Sequence, residues 1–177
     1  MDLDAVVGRV PDHPKPGILF YDLMPLFANP AALDFTIDAI ANWAAPREVD
    51  LVIGAESRGF ILGGGIARAL GAGFVAARKP GKLPGATVGH DYELEYGADR
   101  LEVQAGAIKP GQRVLIHDDL LATGGTSAAK VALVESEGGI VVGLAFVIEL
   151  VFLGGRHVLA PHDVLSLVHY SSDDVSS

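Results

Sequence analysis

The run Val114-Leu115-Ile116-His117-Asp118-Asp119-Leu120-Leu121-Ala122-Thr123-Gly124-Gly125-Thr126 constrains the fold more than any other stretch of the chain. An apolar segment stops at two adjacent carboxylates, a small-residue turn follows, and a helical pattern begins. An apolar run without alternation reads as a strand buried on both faces, as in a parallel sheet. The order puts the acids at the carboxyl end of that strand. In α/β sheets, strand ends of this kind are where ligands bind. The glycines permit close backbone approach and positive φ, and the helix start offers unpaired N–H donors with roughly half a positive charge. The turn is therefore suited to a phosphate.

Adjacent strand residues point to opposite sides, so Asp118 and Asp119 are poorly placed as an acid/base pair across one bond. Beside a phosphate cradle, their natural partners are sugar hydroxyls and a divalent cation. A vicinal diol donates two hydrogen bonds to ionised acids, and each such bond contributes about 1.5–3 kcal/mol. Thr123 and Thr126 add hydroxyls to the turn. No lysine follows the glycines, so this is not a nucleoside-triphosphate loop. The ligand implied is a sugar phosphate, its diol at Asp118 and Asp119 and its phosphate at Ala122, Thr123, Gly124, Gly125 and Thr126.

The rest of the chain supplies the sheet and its covering helices. Leu51 to Ala55 reads as a buried strand, Arg58 to Leu70 as a helix closed by Gly71, and Gly73 to Arg78 as a strand. Pro30 to Ala44 reads as an earlier helix with its apolar face on Leu33, Ile37, Ile40, Ala41 and Ala44. Strands are expected at Arg113 to Asp118, Ile140 to Leu150 and Val164 to Val168, with a helix from Thr126 to Glu137. Successive strand–helix units imply parallel pairing with right-handed crossovers. Asp2 to Val10 is expected as a short helix, and the proline-rich stretch 11–30 as irregular. Residues 81–98 are polar and weakly periodic, too long for a plain connection, and read as a functional or mobile loop, with a short edge strand at Leu101 to Gln104. Residues 171–177 are expected to be a disordered tail.

Bulk properties narrow the function. The 177 residues, half of them hydrophobic, suit one domain over residues 1–170. A net charge of −9 argues against a general nucleic-acid partner. There are no cysteines, which removes disulfides and thiolate chemistry, and the six histidines show no metal-ligand spacing. Met1-Asp2-Leu3-Asp4 shows no basic-then-apolar leader, and the apolar stretch from Gly138 to Gly155 is interrupted by Glu149, so neither a signal peptide nor a membrane span is expected. A cytoplasmic protein is the expectation. Gly63-Gly64-Gly65 lacks the third spaced glycine of a dinucleotide fingerprint and reads as close helix packing.

The run 114–126 resembles the phosphoribosyl-pyrophosphate (PRPP) motif of type I phosphoribosyltransferases. Four further segments resemble the adenine phosphoribosyltransferases of that family: Pro14-Lys15-Pro16-Gly17-Ile18-Leu19-Phe20, Glu56-Ser57-Arg58-Gly59-Phe60, Arg78-Lys79-Pro80-Gly81-Lys82-Leu83-Pro84 and Tyr92-Glu93-Leu94-Glu95-Tyr96-Gly97. They stand in the family's order and span nearly the whole chain. The resemblance implies a central, mostly parallel twisted sheet flanked by helices, a small hood from residues 11–30 and a mobile catalytic loop at 81–98. It also implies the joining of adenine to the ribose of PRPP, giving AMP and diphosphate, with Mg2+, in a cytoplasmic homodimer with no nucleic-acid or membrane partner.

Site roles follow from the same resemblance. Asp118 and Asp119 serve the ribose hydroxyls and the metal environment, and 122–126 hold the 5′-phosphate. Glu56, Ser57, Arg58 and Gly59 form a pyrophosphate turn, which in the family often carries a non-proline cis peptide. Arg78, Lys79 and Lys82 add a basic knot for the same group. Glu95 and Tyr96 lie in the loop over the reacting centre, with Glu95 the candidate for handling the proton of purine N9. Leu19, Phe20 and Tyr21 align with the base pocket, Phe20 by stacking and its neighbours through main-chain groups. Tyr21 and Met24 stand where the family often has arginine and a small hydroxyl residue, which keeps a xanthine or hypoxanthine acceptor as an alternative. A PRPP-sensing regulator that binds nucleic acid is a second alternative, disfavoured by the acidic balance. His117 replaces a usual aliphatic residue and is expected to face the core.

Overall fold

The computed structural model describes residues 1–94 and 97–171. In chain order its elements are β1 (Gly8–Val10), β2 (Phe20–Asp22), α1 (Met24–Ala28), α2 (Pro30–Ala44), β3 (Leu51–Ala55), α3 (Arg58–Leu70), β4 (Gly73–Ala77), β5 (Thr87–Leu94), β6 (Gly97–Gln104), β7 (Arg113–Leu121), α4 (Gly125–Ser136), β8 (Ile140–Leu150), α5 (Gly155–Val158) and β9 (Val164–Tyr170). Five strands form one parallel sheet in the order β4-β3-β7-β8-β9. Two antiparallel pairs, β1 with β2 and β5 with β6, stand outside it.

The sheet is buried on both faces because its strands are apolar on both faces. Leu115, Ala145 and Val147 pack on one side with Leu62 and Ile66 of α3 and Ile40 of α2. Val114, Ile116, Leu144 and Phe146 pack on the other with Ala129, Leu133 and Val134 of α4. Each buried side chain of this size contributes about 1.5–3 kcal/mol of transfer free energy, so the two clusters set the orientation of α3 and α4 on the sheet. Gly63 and Gly65 pack closely as expected: an added Cβ would lie 2.6 Å from Phe74 at the first and 2.6 Å from Ile37 at the second.

The helix 30–44 has its expected bounds. Asn29 caps it by accepting from the N–H groups of Ala31 and Ala32, and Pro30 opens it. Of its expected apolar face, Ile40, Ala41 and Ala44 are buried, and Leu33 and Ile37 are partly buried at the margin. Ala32 and Thr36 complete the buried stripe. Thr36 tolerates burial because its hydroxyl donates to the Ala32 carbonyl at 2.7 Å.

Other boundaries differ from the sequence reading. The amino end is a 3-10 turn at Asp4–Val6 followed by a strand, not a helix over 2–10. The stretch 11–30 is not irregular throughout: it holds β2 and α1 and buries Tyr21, Leu23 and Leu26. Most of 87–104 is paired in β5 and β6, so the short edge strand expected at Leu101 to Gln104 is the end of a longer one. The central strand continues past the acids to Leu121, paired there to β8. The tail positions 172–177 lie outside the described residues.

Candidate active site

The sheet order reverses between β3 and β7: β4 follows β3 on one side, and β8 and β9 follow β7 on the other. At such a point the two strand-to-helix turns diverge and leave a crevice. A cavity of about 440 Å³ opens there, lined by residues 55–58 at the end of β3 and the turn after it, and by 118–127 at the end of β7 and the turn into α4. The two turns that the sequence marked as anion sites therefore face one space.

Asp118 and Asp119 sit where β7 has passed the end of its pairing with β3, which stops at Gly54↔His117, while pairing with β8 continues. Their side chains take different cations, and Asp118 also lies against Gly59 of α3. Asp118 meets Lys130 of α4, Oδ2 to Nζ 2.7 Å. Asp119 meets Arg58 of α3, Oδ2 to Nε 2.5 Å. Burial and the neighbouring Asp118 charge push the Asp119 carboxyl up, to about 6, and Arg58 opposes them. His117, with no solvent exposure, faces the core as expected. Its Nδ1 lies 2.9 Å from the Ala145 carbonyl oxygen, and burial pushes its imidazole down to about 4, so it is neutral at pH 7.

The phosphate turn is shaped by Gly124, at φ 88°, which ends β7's turn and starts α4. A side chain there would strain the backbone and strike the Gly155 carbonyl, 2.8 Å from the built Cβ. Behind the turn, Gly155 of α5 packs so close to Ala122 and Gly124 that it has no room for a Cβ. Arg156 holds α5 in place. Its Nε and Nη2 donate to the buried Glu149 carboxylate at the end of β8, at 3.0 and 2.5 Å, and its Nη1 donates to the Val164 carbonyl at 2.8 Å.

The other turn carries a cis peptide between Glu56 and Ser57. Ser57 is exposed at the start of α3. Gly59, buried in the first turn of α3, leaves space for Asp118: a Cβ there would lie 2.8 Å from Oδ1. Glu56 turns to the basic residues: Oε1 accepts from Lys79 N at 2.6 Å and Oε2 from Arg78 Nε and Nη2 at 3.0 and 2.8 Å. These bonds hold the Glu56 carboxyl below its usual range, the Lys79 N–H contributing most. Lys79 Nζ reaches Asp99 of β6 at 3.0 Å, and Tyr92 of β5 donates to the same carboxylate at 3.2 Å. Lys82 is exposed. Of the basic residues expected at this end, Arg58 lines the cavity, while Arg78, Lys79 and Lys82 lie outside its lining.

Leu19, Phe20 and Tyr21 do not line the cavity either. Phe20 approaches it, its ring centroid 5.5 Å from Arg58 Cζ. The Tyr21 ring points the other way and stacks on Tyr170 at 3.8 Å in the core. Glu95 and Tyr96 lie outside the described residues.

The phosphoribosyl transferase domain model matches residues 26–159. The adenine phosphoribosyltransferase of Koribacter versatilis is 55% identical over 168 residues, covering 95% of this chain and 92% of that protein. The chain belongs to the adenine phosphoribosyltransferase family. The crystal structure of the Thermoanaerobacter pseudethanolicus adenine phosphoribosyltransferase superposes with a TM-score of 0.92 at 46% identity, covering 96% of this chain and 98% of that one. The Saccharomyces cerevisiae enzyme, crystallised with adenine and an imino-altritol bisphosphate, superposes at 0.89 with 42% identity, covering 94% of this chain and 96% of that one. The expected fold, a parallel central sheet with helices on both sides, is that of the adenine phosphoribosyltransferase family.

Three residues around this family's cavity were missed in the sequence. Lys130 had a readable signal. It shares a helical face with Ser127, Leu133 and Val134, all buried, and a lysine on such a face must be paired. Glu149 was read only as an interruption of an apolar run, yet a carboxylate in a buried strand needs a cation. Its partner Arg156 lies beyond the strand on a turn, and no spacing rule connects them.

Proposed function

We infer that this chain transfers the 5-phosphoribosyl group of PRPP to N9 of adenine, releasing diphosphate and forming AMP. The observation that carries this reading is the shared cavity: two divergent carboxylates and a glycine turn at a helix start face a second turn bearing Arg58. The acids suit the ribose diol, the turn at 122–126 suits the 5′-phosphate, and Arg58 suits the pyrophosphate that leaves C1′ on the opposite side of the ribose. The adenine acceptor is supported by relatives of that name at half the residues or more. Tyr21 does not favour an oxopurine, because its ring is spent on Tyr170 and leaves only main-chain groups for a base.

Within this reading, the C1′–O bond to diphosphate breaks as N9 attacks, and positive charge develops on the ribose. Closing the 81–98 segment over the centre would exclude water that would otherwise capture C1′. Glu95 is proposed to accept the N9 proton. Arg78 and Lys79 contribute to the pyrophosphate end only by exchanging Glu56 and Asp99 for phosphate oxygens. Phe20, beside Arg58, is proposed to stack on the base.

Magnesium fits the donors available. Among the described residues no group of three or more His, Cys, Asp or Glu gathers to form a protein cage. Mg2+ does not need one, because it keeps waters and takes substrate phosphates with one or two carboxylates. Asp118 and Asp119 are the carboxylates present. Bound with the substrate, the ion would supply charge neutralisation for the diphosphate leaving group.

A homodimer belongs to the same reading. The edge strand β4 exposes Phe74, and α3 beside it exposes Ile61. Such a face suits a second copy. No helix among the described residues is long and apolar enough to cross a membrane, and we propose a cytoplasmic place. The deciding experiment is incubation with Mg2+, PRPP and each purine in turn. Nucleotide formed from adenine alone is expected. Turnover with an oxopurine, or PRPP binding without turnover, would overturn the reading.

A further inference from the structure

Lys130 has no solvent exposure and is among the largest side chains so buried. An ammonium taken out of water is costly, and an apolar residue of similar shape usually serves stability as well or better. The residue therefore needs a reason beyond holding α4 to β7. Its Nζ donates to Asp118 Oδ2 at 2.7 Å and to the His117 carbonyl at 3.0 Å. On the far side of the same carboxylate, Oδ1 accepts from the Asp119 N–H at 3.2 Å and occupies the space left by Gly59. Asp118 is thus fixed from both sides.

We propose that Lys130 is a positioning residue for ribose: it holds Asp118 in place, with its charge balanced, so that this carboxylate can accept a ribose hydroxyl in a site that must also admit a phosphate ester. The inference rests on the reading of Asp118 as a ribose acid. Two adjacent carboxylates repel each other and repel a phosphate, and each here has its own cation. The two cations differ in kind. Arg58 is 38% exposed and can turn from Asp119 to an arriving pyrophosphate. Lys130 is sealed in α4 and cannot leave Asp118 during the reaction. One acid keeps a permanent counter-charge and the other an exchangeable one.

The test compares binding of AMP and 2′,3′-dideoxy-AMP to the full chain by calorimetry. A merely structural lysine would lower both affinities alike. The wild type is expected to prefer AMP, and Lys130→Met to lose about tenfold of that preference, the worth of one hydrogen bond to a charged group. Lys130→Gln, which keeps an N–H donor without the charge, covers a Met variant that does not fold. A folded variant of either kind with the wild-type ratio overturns the proposal. Asp118→Asn separates the two failures: if it too keeps the ratio, Asp118 is not a ribose acid; if it loses the ratio and Lys130→Met does not, only the role of Lys130 falls. A measurement without variants is the Lys130 ammonium resonance of the wild type. It is expected to shift with AMP and less with the dideoxy ligand, and equal shifts count against the proposal.

Discussion

Arg58 Nε and Asp119 Oδ2 meet at 2.5 Å across the mouth of the cavity, one from the start of α3 and the other from β7. The contact ties the two strand-to-helix turns together, and its guanidinium is what draws the buried Asp119 carboxyl down against desolvation and Asp118. Arg58→Gln removes that draw. The Asp119 carboxyl should then rise further, and ligand binding that needs it ionised should lose its acid limb at a higher pH than in the wild type. AMP affinity measured from pH 5 to 8 checks this; an unmoved acid limb would remove Asp119 from the ribose site.

His117 and Asp119 make stability depend on pH in opposite senses. His117 has a depressed folded value of about 4, so its contribution is complete above its unfolded value and is lost as pH falls toward 4. Asp119 has a raised folded value, so its contribution is present below the unfolded carboxyl value and is lost as pH rises through about 6. The two oppose each other over the same window. His117→Val leaves Asp119 unopposed. Urea unfolding should show the gap between wild type and variant change by roughly 3 kcal/mol from pH 7 to pH 4, in favour of the variant at low pH.

Gly155 has no room for a Cβ against Ala122 and Gly124. Gly155→Ala must push α5 off the phosphate turn or distort the turn, at a cost of about 1–3 kcal/mol. The melting temperature should fall by a few degrees. AMP affinity should fall about tenfold, while adenosine, which lacks the phosphate, should bind as before. Equal losses for both ligands would show that the turn at 122–126 does not hold the phosphate.

Removing Mg2+ should separate the two ends of the site. Asp118 and Asp119 already have Lys130 and Arg58 as counter-charges. AMP should therefore bind with similar affinity in the presence of a chelator. PRPP, with its extra diphosphate charge, should bind at least about tenfold more weakly, as loss of one strong charge interaction implies. Calorimetry with and without EDTA distinguishes the two.

What the sequence determined by itself was the chemistry of each local segment. Apolar runs bounded by glycines or acids marked the buried strands β3 and β8, and helical spacing of apolar residues marked α2 and α3. Adjacent Asp118 and Asp119 had to diverge, because neighbouring residues on a strand do. What only the tertiary structure decided was which charges meet. Arg78 and Lys79 read as a basic knot for pyrophosphate, yet here Glu56 and Asp99 hold them, and those partners come from other parts of the fold. Lys130 is pressed into the core beneath the acids, and Arg156 reaches back to Glu149 from behind the phosphate turn. Local pattern encodes burial, which depends on spacing along one element. Pairing of charges depends on where separate elements come to lie, and that was settled by packing two helix layers on the faces of the sheet.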